Sequence, residues 1–421
     1  VGRIEFDREQ LLYQSSTTCV LCGRFRGKPA VIKTVIKTIR GCTETEAGAD
    51  GGGGAGAEGE HEVLFGLSHP NVVRLLGVED EGLNRYIALE PCVDADMESA
   101  DAAAGRVVPR ARTLELVVDG EGLRDVGRLR AIMKQTAEGL AYLHGHRELA
   151  DCGLTHRDLT PQNVLVKRVA RRGKRGKAGA GNAAGTHADG RGGVGAGVGQ
   201  VKLADFGSAK GHDRTMATTR GVGTDGWQSP EAMRAEETGP AADVFSLGLL
   251  FFYCLTGGRH VFGEDPVKRK KAMMKFAVVY DEDDDDEDDE EEGEEALRAA
   301  DAKVARNVER LLSSACSDAE VVPVAKALIT RMLRLRPAER PPMTEVTRDP
   351  LLSDLVGANA AAGGAGAGAG TAEAAREHEC VVCLDEAPTH LFVPCGHQCV
   401  CEVCAAKIME SWAKQCPFCC T

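Results

Sequence analysis

The chain has 421 residues, which is enough for two or three domains. Its net charge of −13 belongs to a single segment, because residues 281–295 hold fourteen acidic residues and one glycine. The overall charge therefore says little about binding partners, and no apolar run reaches the roughly 18 residues of a membrane-spanning helix.

The first part of the chain predicts strands and one helix. Residues 1–39 indicate strands joined by turns, and Ala30–Lys33 is a short apolar strand that ends in a lysine. Residues 41–59 are rich in glycine and alanine, which is typical of a flexible insert. A helix is predicted next, because leucines lie four and seven positions after Glu60, on the same helical face.

Two more strands are predicted between Val72 and Cys92, with Tyr86–Leu89 as the inner one. Residues 97–112 show little pattern and are interpreted as an insert. The segment Val126–His146 predicts a long helix, because apolar residues recur along one stripe of it. Val164–Val166 predicts a short strand after that helix.

Two charged segments of low complexity interrupt the second half of the chain. Residues 167–200 join a cluster of lysines and arginines to a Gly/Ala tract, and we interpret them as a solvated loop insert. No specific nucleic-acid partner is predicted from this cluster. The acidic run 281–295 is also predicted to be an exposed loop. Between the two segments, Val201–Gly207 predicts a strand that ends in Asp-Phe-Gly.

The segment Thr155–Asn163 places an aspartate and an asparagine five residues apart on a loop after a helix. Such an aspartate can accept a proton from a hydroxyl, and the asparagine can hold a metal ion on a nucleotide. This spacing, followed by Asp-Phe-Gly at Asp205, resembles the eukaryotic serine/threonine protein kinases. The resemblance implies that Asp158 orients or deprotonates the substrate hydroxyl and that Asn163 and Asp205 bind Mg²⁺.

The resemblance also implies roles for residues of the first strands. In kinases, a lysine of the third strand contacts the nucleotide phosphates and pairs with a glutamate of the next helix. These positions match Lys33 and Glu60, both implied to be catalytic, with Lys37 and Glu62 as alternatives. The helical phase of the leucines favours Glu60.

The nucleotide implied by the resemblance is ATP. Its adenine would lie beside Leu89, where the backbone carbonyl of Glu90 and the N–H of Cys92 would bind the adenine edge. The implied fold class is α+β: a bilobal kinase domain over residues 1–356, with a small β-rich lobe and a larger helical lobe.

Two departures from the kinase pattern bear on activity. The glycine-rich loop over ATP falls here on Tyr13, Ser15 and Thr18, so none of its three glycines is present. Glycines at these positions let backbone N–H groups approach phosphates closely. Thr160 stands where the family usually has a lysine near the transferred phosphate, and its neutral side chain removes one positive charge from the site.

Later motifs narrow the resemblance. Gly223–Glu231 resembles the end of a kinase activation segment, and Arg340 matches an arginine that pairs with Glu231 in the family. Together with Asp243–Gly263, these motifs are most similar to the inositol-requiring stress-sensor kinase-endonucleases. A Gly/Ala linker at 357–377 stands where that family continues into a ribonuclease domain, so we expect no endonuclease activity. Signalling through a homodimer is compatible with this reading.

Nine of the sixteen cysteines lie between Cys380 and Cys420. The other seven are scattered along the chain, which is typical of a protein in a reducing compartment and not of a disulfide framework. Eight residues of this tail form four closely spaced pairs, namely Cys380, Cys383, Cys395, His397, Cys401, Cys404, Cys416 and Cys419. Thiolates two residues apart can chelate one zinc ion, and two pairs complete a tetrahedron. The tail therefore predicts two Zn²⁺ sites.

The order of these ligand pairs resembles the RING-type zinc fingers, over residues 378–421. The resemblance implies that the first and third pairs share one ion and that the second and fourth pairs share the other. Cys399 is an alternative to Cys401. Because all eight positions are filled, zinc is expected to be structural. In RING ubiquitin ligases, such a module recruits a ubiquitin-conjugating enzyme.

The leading hypothesis is an ATP-dependent serine/threonine kinase of protein substrates whose RING module recruits a ubiquitin-conjugating enzyme. The alternative is a nucleotide-binding pseudokinase that presents targets to a RING ubiquitin ligase. The missing glycines and Thr160 favour the alternative, and it is opposed by the retained Lys33, Asp158, Asn163 and Asp205. A cytoplasmic location is expected, or the cytosolic face of a membrane if a segment precedes Val1.

Overall fold

The structure of the protein is a computed structural model. The structure describes residues 2–15, 18–37, 56–94, 110–146, 153–167, 199–211, 223–278, 290–353, 390–391 and 398–400. The chain divides into two compact units, Val1–Ser353 and Asp354–Thr421. The division lies close to residue 356, where the sequence predicts the end of the first domain.

A five-stranded antiparallel sheet opens the first unit. Its strands are β1 (Ile4–Gln14), β2 (Thr18–Phe25), β3 (Lys28–Ile36), β4 (Leu75–Glu81) and β5 (Asn84–Leu89). Their spatial order is β1-β2-β3-β5-β4, so the predicted inner strand is confirmed as β5. Side chains alternate along β5: Tyr86 and Ala88 join a small core, while Ile87 and Leu89 join the main core.

Helix α1 (Gly56–Phe65) follows β3 and contributes Leu64 to the main core. The prediction of a flexible insert over 41–59 was wrong at its end, because the helix begins at Gly56. Alanine is a strong helix former, and burial of the leucines further along stabilises a helix that composition alone does not reveal.

The rest of the first unit is mainly helical. Its helices are α2 (Val126–Gly145), α3 (Pro230–Met233), α4 (Pro240–Thr256), α5 (Pro266–Val278), α6 (Glu290–Ala315), α7 (Val321–Met332) and α8 (Met343–Val346). Helix α2 begins where the Asp125 side chain accepts the N–H of Arg128 at 2.7 Å, and its predicted apolar stripe is buried. Helix α4 is buried along nearly its whole length. Among the described helices, none combines the length and apolarity needed to cross a membrane.

Short strand pairs connect these helices. β6 (Val93–Asp94) pairs with β7 (Arg110–Ala111), β8 (Leu154–Thr155) with β11 (Lys210–Gly211), and β9 (Val164–Lys167) with β10 (Gln200–Leu203). The prediction of an insert over 97–112 was wrong at its end, because Arg112 is buried and its Nε donates to Glu121 at 2.7 Å. A buried cation needs a carboxylate partner, and hydrophobic periodicity does not report such a pair.

The acidic run is not a single loop. Helix α6 begins at Glu290, so the prediction of a loop over 281–295 was wrong for its last residues. Glutamate has a high helix propensity, and negative charge is favoured at a helix N-terminus. Residues 281–289 lie outside the described residues, as do 168–198 of the other predicted insert.

In the second unit, the structure describes β12 (His390–Leu391) and β13 (Gln398–Val400). They pair antiparallel, with His390 opposite Val400. All eight predicted zinc ligands lie outside the described residues, and Cys399 falls within β13.

The expected pairing of Arg340 with Glu231 is confirmed, and it predicts a large loss of stability when one partner is removed. The two side chains form hydrogen bonds of 2.6 and 2.9 Å and are 0% and 3% exposed. Arg340→Ala leaves the carboxylate buried without its cation, which costs about 3–5 kcal/mol of unfolding free energy. Urea unfolding followed by Trp227 fluorescence, in a Trp412→Phe background, measures this change.

Arg331→Ala is the matched control for this variant. Arg331 pairs with Glu345, and their side chains are 44% and 51% exposed. Exposed pairs contribute roughly 0–1 kcal/mol, so the unfolding free energy should change by no more than about that amount. If both variants lost the same unfolding free energy, burial would not be the reason that the Arg340–Glu231 pair stabilises the fold.

A second prediction concerns the pH dependence of stability. Burial lowers the pKa of His260 to about 3. Its Nε2–H donates to the carbonyl of Gly226 at 2.8 Å, and its Nδ1 accepts the N–H of Phe262 at 3.2 Å. The neutral ring is therefore fully hydrogen-bonded, and a second proton would be placed against the Phe262 N–H.

The unfolded chain binds a proton at this histidine below its ordinary pKa of about 6.5, whereas the folded chain does not. His260 therefore lowers stability as the pH falls from about 6.5 towards its depressed pKa. His260→Gln should reduce the stability lost between pH 7.5 and pH 5 by about 2 kcal/mol. Urea unfolding at both pH values measures the slope, and an unchanged slope would refute this assignment.

Candidate active site

The loop that carries Asp158 is held by a buried carboxylate of α4. Asp243 accepts the backbone N–H groups of His156 and Arg157, each at 2.8 Å. His144 of α2 contacts the same carboxylate at 2.8 Å. Burial opposes the charged form, but the contact with His144 and the nearby His156 lower the pKa of Asp243 below its usual range. These bonds hold the loop backbone, including Arg157 in the left-handed region at φ 66°.

Asp158 itself is oriented by two neighbours. The side-chain nitrogen of Asn163 donates to the Asp158 carbonyl at 2.8 Å and to its Oδ2 at 3.1 Å. The N–H and the hydroxyl of Thr224 donate to Oδ1 at 2.9 and 2.7 Å. The two residues predicted from the loop spacing are therefore in direct contact, and the carboxylate is held in one orientation.

Lys33 on β3 connects the sheet to α1 and to the loop of Asp205. Its Nζ lies 2.6 Å from Glu60 Oε2 and 2.8 Å from Asp205 Oδ1. Burial alone would lower the pKa of Lys33, but the two carboxylates outweigh it and raise the pKa above its usual range. The alternatives do not take these places, because Lys37 pairs with a carboxylate of β4 at 3.6 Å and Glu62 is exposed.

Asp205 follows β10 and begins a 3₁₀ turn, Phe206–Ser208, from the left-handed region at φ 63°. The N–H of Phe206 donates to Glu60 at 3.2 Å, and its buried ring packs 4.9 Å from the ring of His156. Partial burial opposes the charged form of Asp205, but Lys33 lowers its pKa below the usual range. The Asp205 side chain is 48% exposed, so its carboxylate remains accessible to solvent although it contacts Lys33.

Asp205 and Asn163 together offer the oxygen donors that Mg²⁺ prefers. The N–H of Ala204 donates to the Asn163 carbonyl at 2.9 Å, which brings the two loops together. Because the Asn163 amide nitrogen donates to Asp158, its amide oxygen would be the atom that ligates a cation. These residues would hold a magnesium ion, which would supply positive charge to nucleotide phosphates.

The predicted adenine contacts follow β5. The carboxylate of Glu90 accepts the N–H of Arg74 at 2.8 Å and lies 2.5 Å from Nζ of the buried Lys202. The predicted contacts at Glu90 and Cys92 use only backbone groups, so this bond does not compete with them. Lys202 was not predicted as a site residue, although a lysine between apolar residues of a buried strand is a signal for a buried ion pair.

The two departures from the kinase pattern have visible consequences. In the β1–β2 connection, the hydroxyl of Ser15 accepts the N–H of Thr18 at 3.1 Å. In a glycine-rich loop, backbone N–H groups bind phosphate. Here the N–H of Thr18 is already bound to Ser15. Thr160 is buried, and its carbonyl accepts the N–H of Asn163 at 3.1 Å. It shapes the loop but adds no positive charge.

Two family models match the chain. The model of the protein kinase domain matches residues 15–352. The model of the C3HC4-type zinc finger, or RING finger, matches residues 376–421. The first match covers the whole site described above, and the second includes all eight predicted zinc ligands.

Similar proteins include three kinase/endoribonucleases. The Arabidopsis thaliana serine/threonine-protein kinase/endoribonuclease IRE1b is 27% identical over 286 residues, which is 63% of this chain and 27% of that protein. IRE1a of the same plant is 24% identical over 385 residues, 83% of this chain and 35% of that protein. The Caenorhabditis elegans enzyme ire-1 is 30% identical over 203 residues, 47% of this chain and 16% of that protein.

The chain thus spans between 16% and 35% of the length of these relatives. The predicted α+β kinase fold and the resemblance to the stress-sensor kinases are confirmed by these matches. The chain belongs to the protein kinase family, its kinase relatives are serine/threonine kinases of the IRE1 type, and it carries a C-terminal RING-type zinc finger.

Proposed function

We propose that the first unit is a serine/threonine protein kinase that transfers phosphate from Mg-ATP to protein hydroxyl groups. The observation that carries the proposal is the position of Lys33, which contacts both Glu60 and Asp205. These contacts join β3, α1 and the Asp205 loop in the arrangement that binding of nucleotide phosphates requires.

In this proposal, Asp158 acts on the substrate hydroxyl. Thr224 binds Oδ1 and Asn163 contacts Oδ2, so rotation of the carboxylate is restricted. Asp158 accepts a hydrogen bond from the incoming hydroxyl and orients its oxygen towards the γ-phosphorus of ATP. As the new O–P bond forms, the bond from that phosphorus to the β-phosphate oxygen breaks, ADP leaves, and Asp158 takes up the hydroxyl proton.

The remaining site residues hold the nucleotide. Lys33 contacts the α- and β-phosphates, and Glu60 keeps the ammonium group in place. Asn163 and Asp205 hold Mg²⁺, which supplies positive charge to the phosphates when bound. The backbone groups of Glu90 and Cys92 bind the adenine edge.

We further propose that the second unit binds two Zn²⁺ and recruits a ubiquitin-conjugating enzyme. The match of residues 376–421 to the RING-finger model and the four closely spaced ligand pairs support the zinc assignment. About forty residues bury too little core to fold without help, so ligation of zinc supplies folding energy. The docking function depends on the surface that this fold presents.

A second candidate is a nucleotide-binding pseudokinase that presents targets to the RING module. Two observations favour it: the Thr18 N–H is bound by Ser15, and the buried Thr160 is neutral. Both reduce the donors and the positive charge available to a transferred phosphate. Bound nucleotide without phosphate transfer is the signature of this candidate.

The experiment that decides between the two candidates measures labelled phosphate transferred from Mg-ATP by the full chain. Autophosphorylation and a generic basic protein serve as acceptors. Asp205→Asn removes the carboxylate that holds magnesium, so transfer should fall at least about a hundredfold. No transfer by the unchanged chain, together with measurable binding of a fluorescent ATP analogue, would establish the pseudokinase.

A finer prediction uses two neighbouring glutamates of α1. Glu60→Gln removes the charge that holds Lys33, so phosphate transfer should fall at least about tenfold. Glu62→Gln is the matched control, because Glu62 is exposed on the same helix, and transfer should change less than about twofold. The same initial-rate assay measures both, and equal effects would contradict the role of Glu60.

The zinc assignment predicts two ions per chain by metal analysis of the purified protein. Cys401→Ser should lower zinc content towards about one ion per chain and reduce ubiquitin discharge from a conjugating enzyme. Cys399→Ser should leave zinc content unchanged, because Cys401, and not Cys399, is the predicted ligand. The reverse result would assign Cys399 as the ligand, and two ions in both variants would contradict the predicted ligand set.

A further inference from the structure

Helix α5 presents an apolar surface that the proposed chemistry does not use. Val267, Met274 and Val278 are 65%, 39% and 62% exposed. At 3.6 residues per turn they lie within about 40° of one another around the helix, and Lys271 is next to them. We call these four residues the α5 strip.

Exposed lysines border the α5 strip on both sides. Lys270 lies along one edge, and Lys268 and Lys275 lie along the other. The opposite side of α5 is buried through Met273 and Phe276. The helix is therefore attached by one face and presents apolar side chains among four lysines on the other.

Helix α5 is close to the segment that contacts Asp158. Nζ of Lys270 lies 2.8 Å from Asp225 Oδ2. Asp225 directly follows Thr224, whose hydroxyl donates to Asp158 at 2.7 Å. The next residue, Gly226, lies against the side chain of Arg269 of α5. A protein whose hydroxyl reaches Asp158 therefore passes near α5.

We propose that the α5 strip docks an acidic amphipathic segment of protein substrates, away from the phosphorylated residue. The apolar side chains provide contact area, and the lysines select carboxylates and disfavour basic segments. The strip is about 16 Å long, which matches about three turns of a partner helix. This inference rests on the proposed kinase function and names the substrate class of that site.

The first test measures binding and does not require catalysis. The probe is a fluorescein-labelled amphipathic peptide with leucines on one face and glutamates on the other, titrated with the full chain. Replacing three lysines of α5 together (K268E, K271E and K275E) should weaken binding at least about tenfold. Met274→Glu should also weaken it, because it places a charge in the apolar contact.

The matched control replaces three exposed cations of α6 together (K303E, R306E and R310E), which gives the same change in net charge. The affinity of this α6 variant for the probe should stay within about twofold of the affinity of the unchanged chain. Equal weakening by the α5 and α6 replacements would overturn the proposal, because it would show only general attraction between charges.

The second test measures phosphorylation of one acceptor peptide with and without the acidic segment attached. Met274→Glu should raise KM for the longer peptide at least about fivefold and leave KM for the short peptide unchanged. If Met274→Glu and the unchanged chain had equal KM values for the longer peptide, the proposal would be overturned. Failure of the unchanged chain to phosphorylate either peptide, with normal probe binding, would overturn the kinase function while supporting the docking surface.

Two other occupants of the strip give distinct results. Tighter probe binding after deletion of 281–289 would show that the chain's own acidic run covers the strip. Self-association of the chain that Met274→Glu abolishes, measured by sedimentation, would show that a second copy covers it. Either result would overturn the assignment to substrates.

Discussion

The buried carboxylate of Asp243 is the constraint on which the site depends. Its oxygens accept two successive N–H groups of the loop before Asp158 and contact a histidine of α2. An ionised carboxylate in the core is costly unless such donors surround it, so the loop and the two helices stabilise one another. The position of Asp158 therefore follows from the packing of the helical region.

Lys33 provides the matching connection in the β-rich region. Its ammonium group is charged, nearly buried, and bound to carboxylates from α1 and from the Asp205 loop. The N–H of Phe206 donates to Oε1 of the same glutamate, whose Oε2 contacts Lys33, so both oxygens of the Glu60 carboxylate are bound. A shift of α1 would leave charged groups unpaired, which makes this arrangement cooperative.

Motif spacing predicted which side chains lie together: Lys33 contacts Glu60 and Asp205, and Asn163 contacts Asp158. Their roles in phosphate transfer stay a proposal. Composition alone predicted less. Residues 41–59 and 281–295 were interpreted as loops, yet α1 and α6 begin within them. Composition reports a preference for solvent, whereas the start of a helix depends on which later residues are buried against the core.

The sequence by itself showed the kinase and RING motifs and their order. It also showed the departures from the kinase pattern at Ser15, Thr18 and Thr160. Only the tertiary structure decided which of two lysines meets which of two glutamates. It also revealed the bond between Lys202 and Glu90, 112 residues apart in the chain. Such contacts depend on how β10 packs beside the end of β5, and local patterns of polarity carry no record of a partner so distant in sequence.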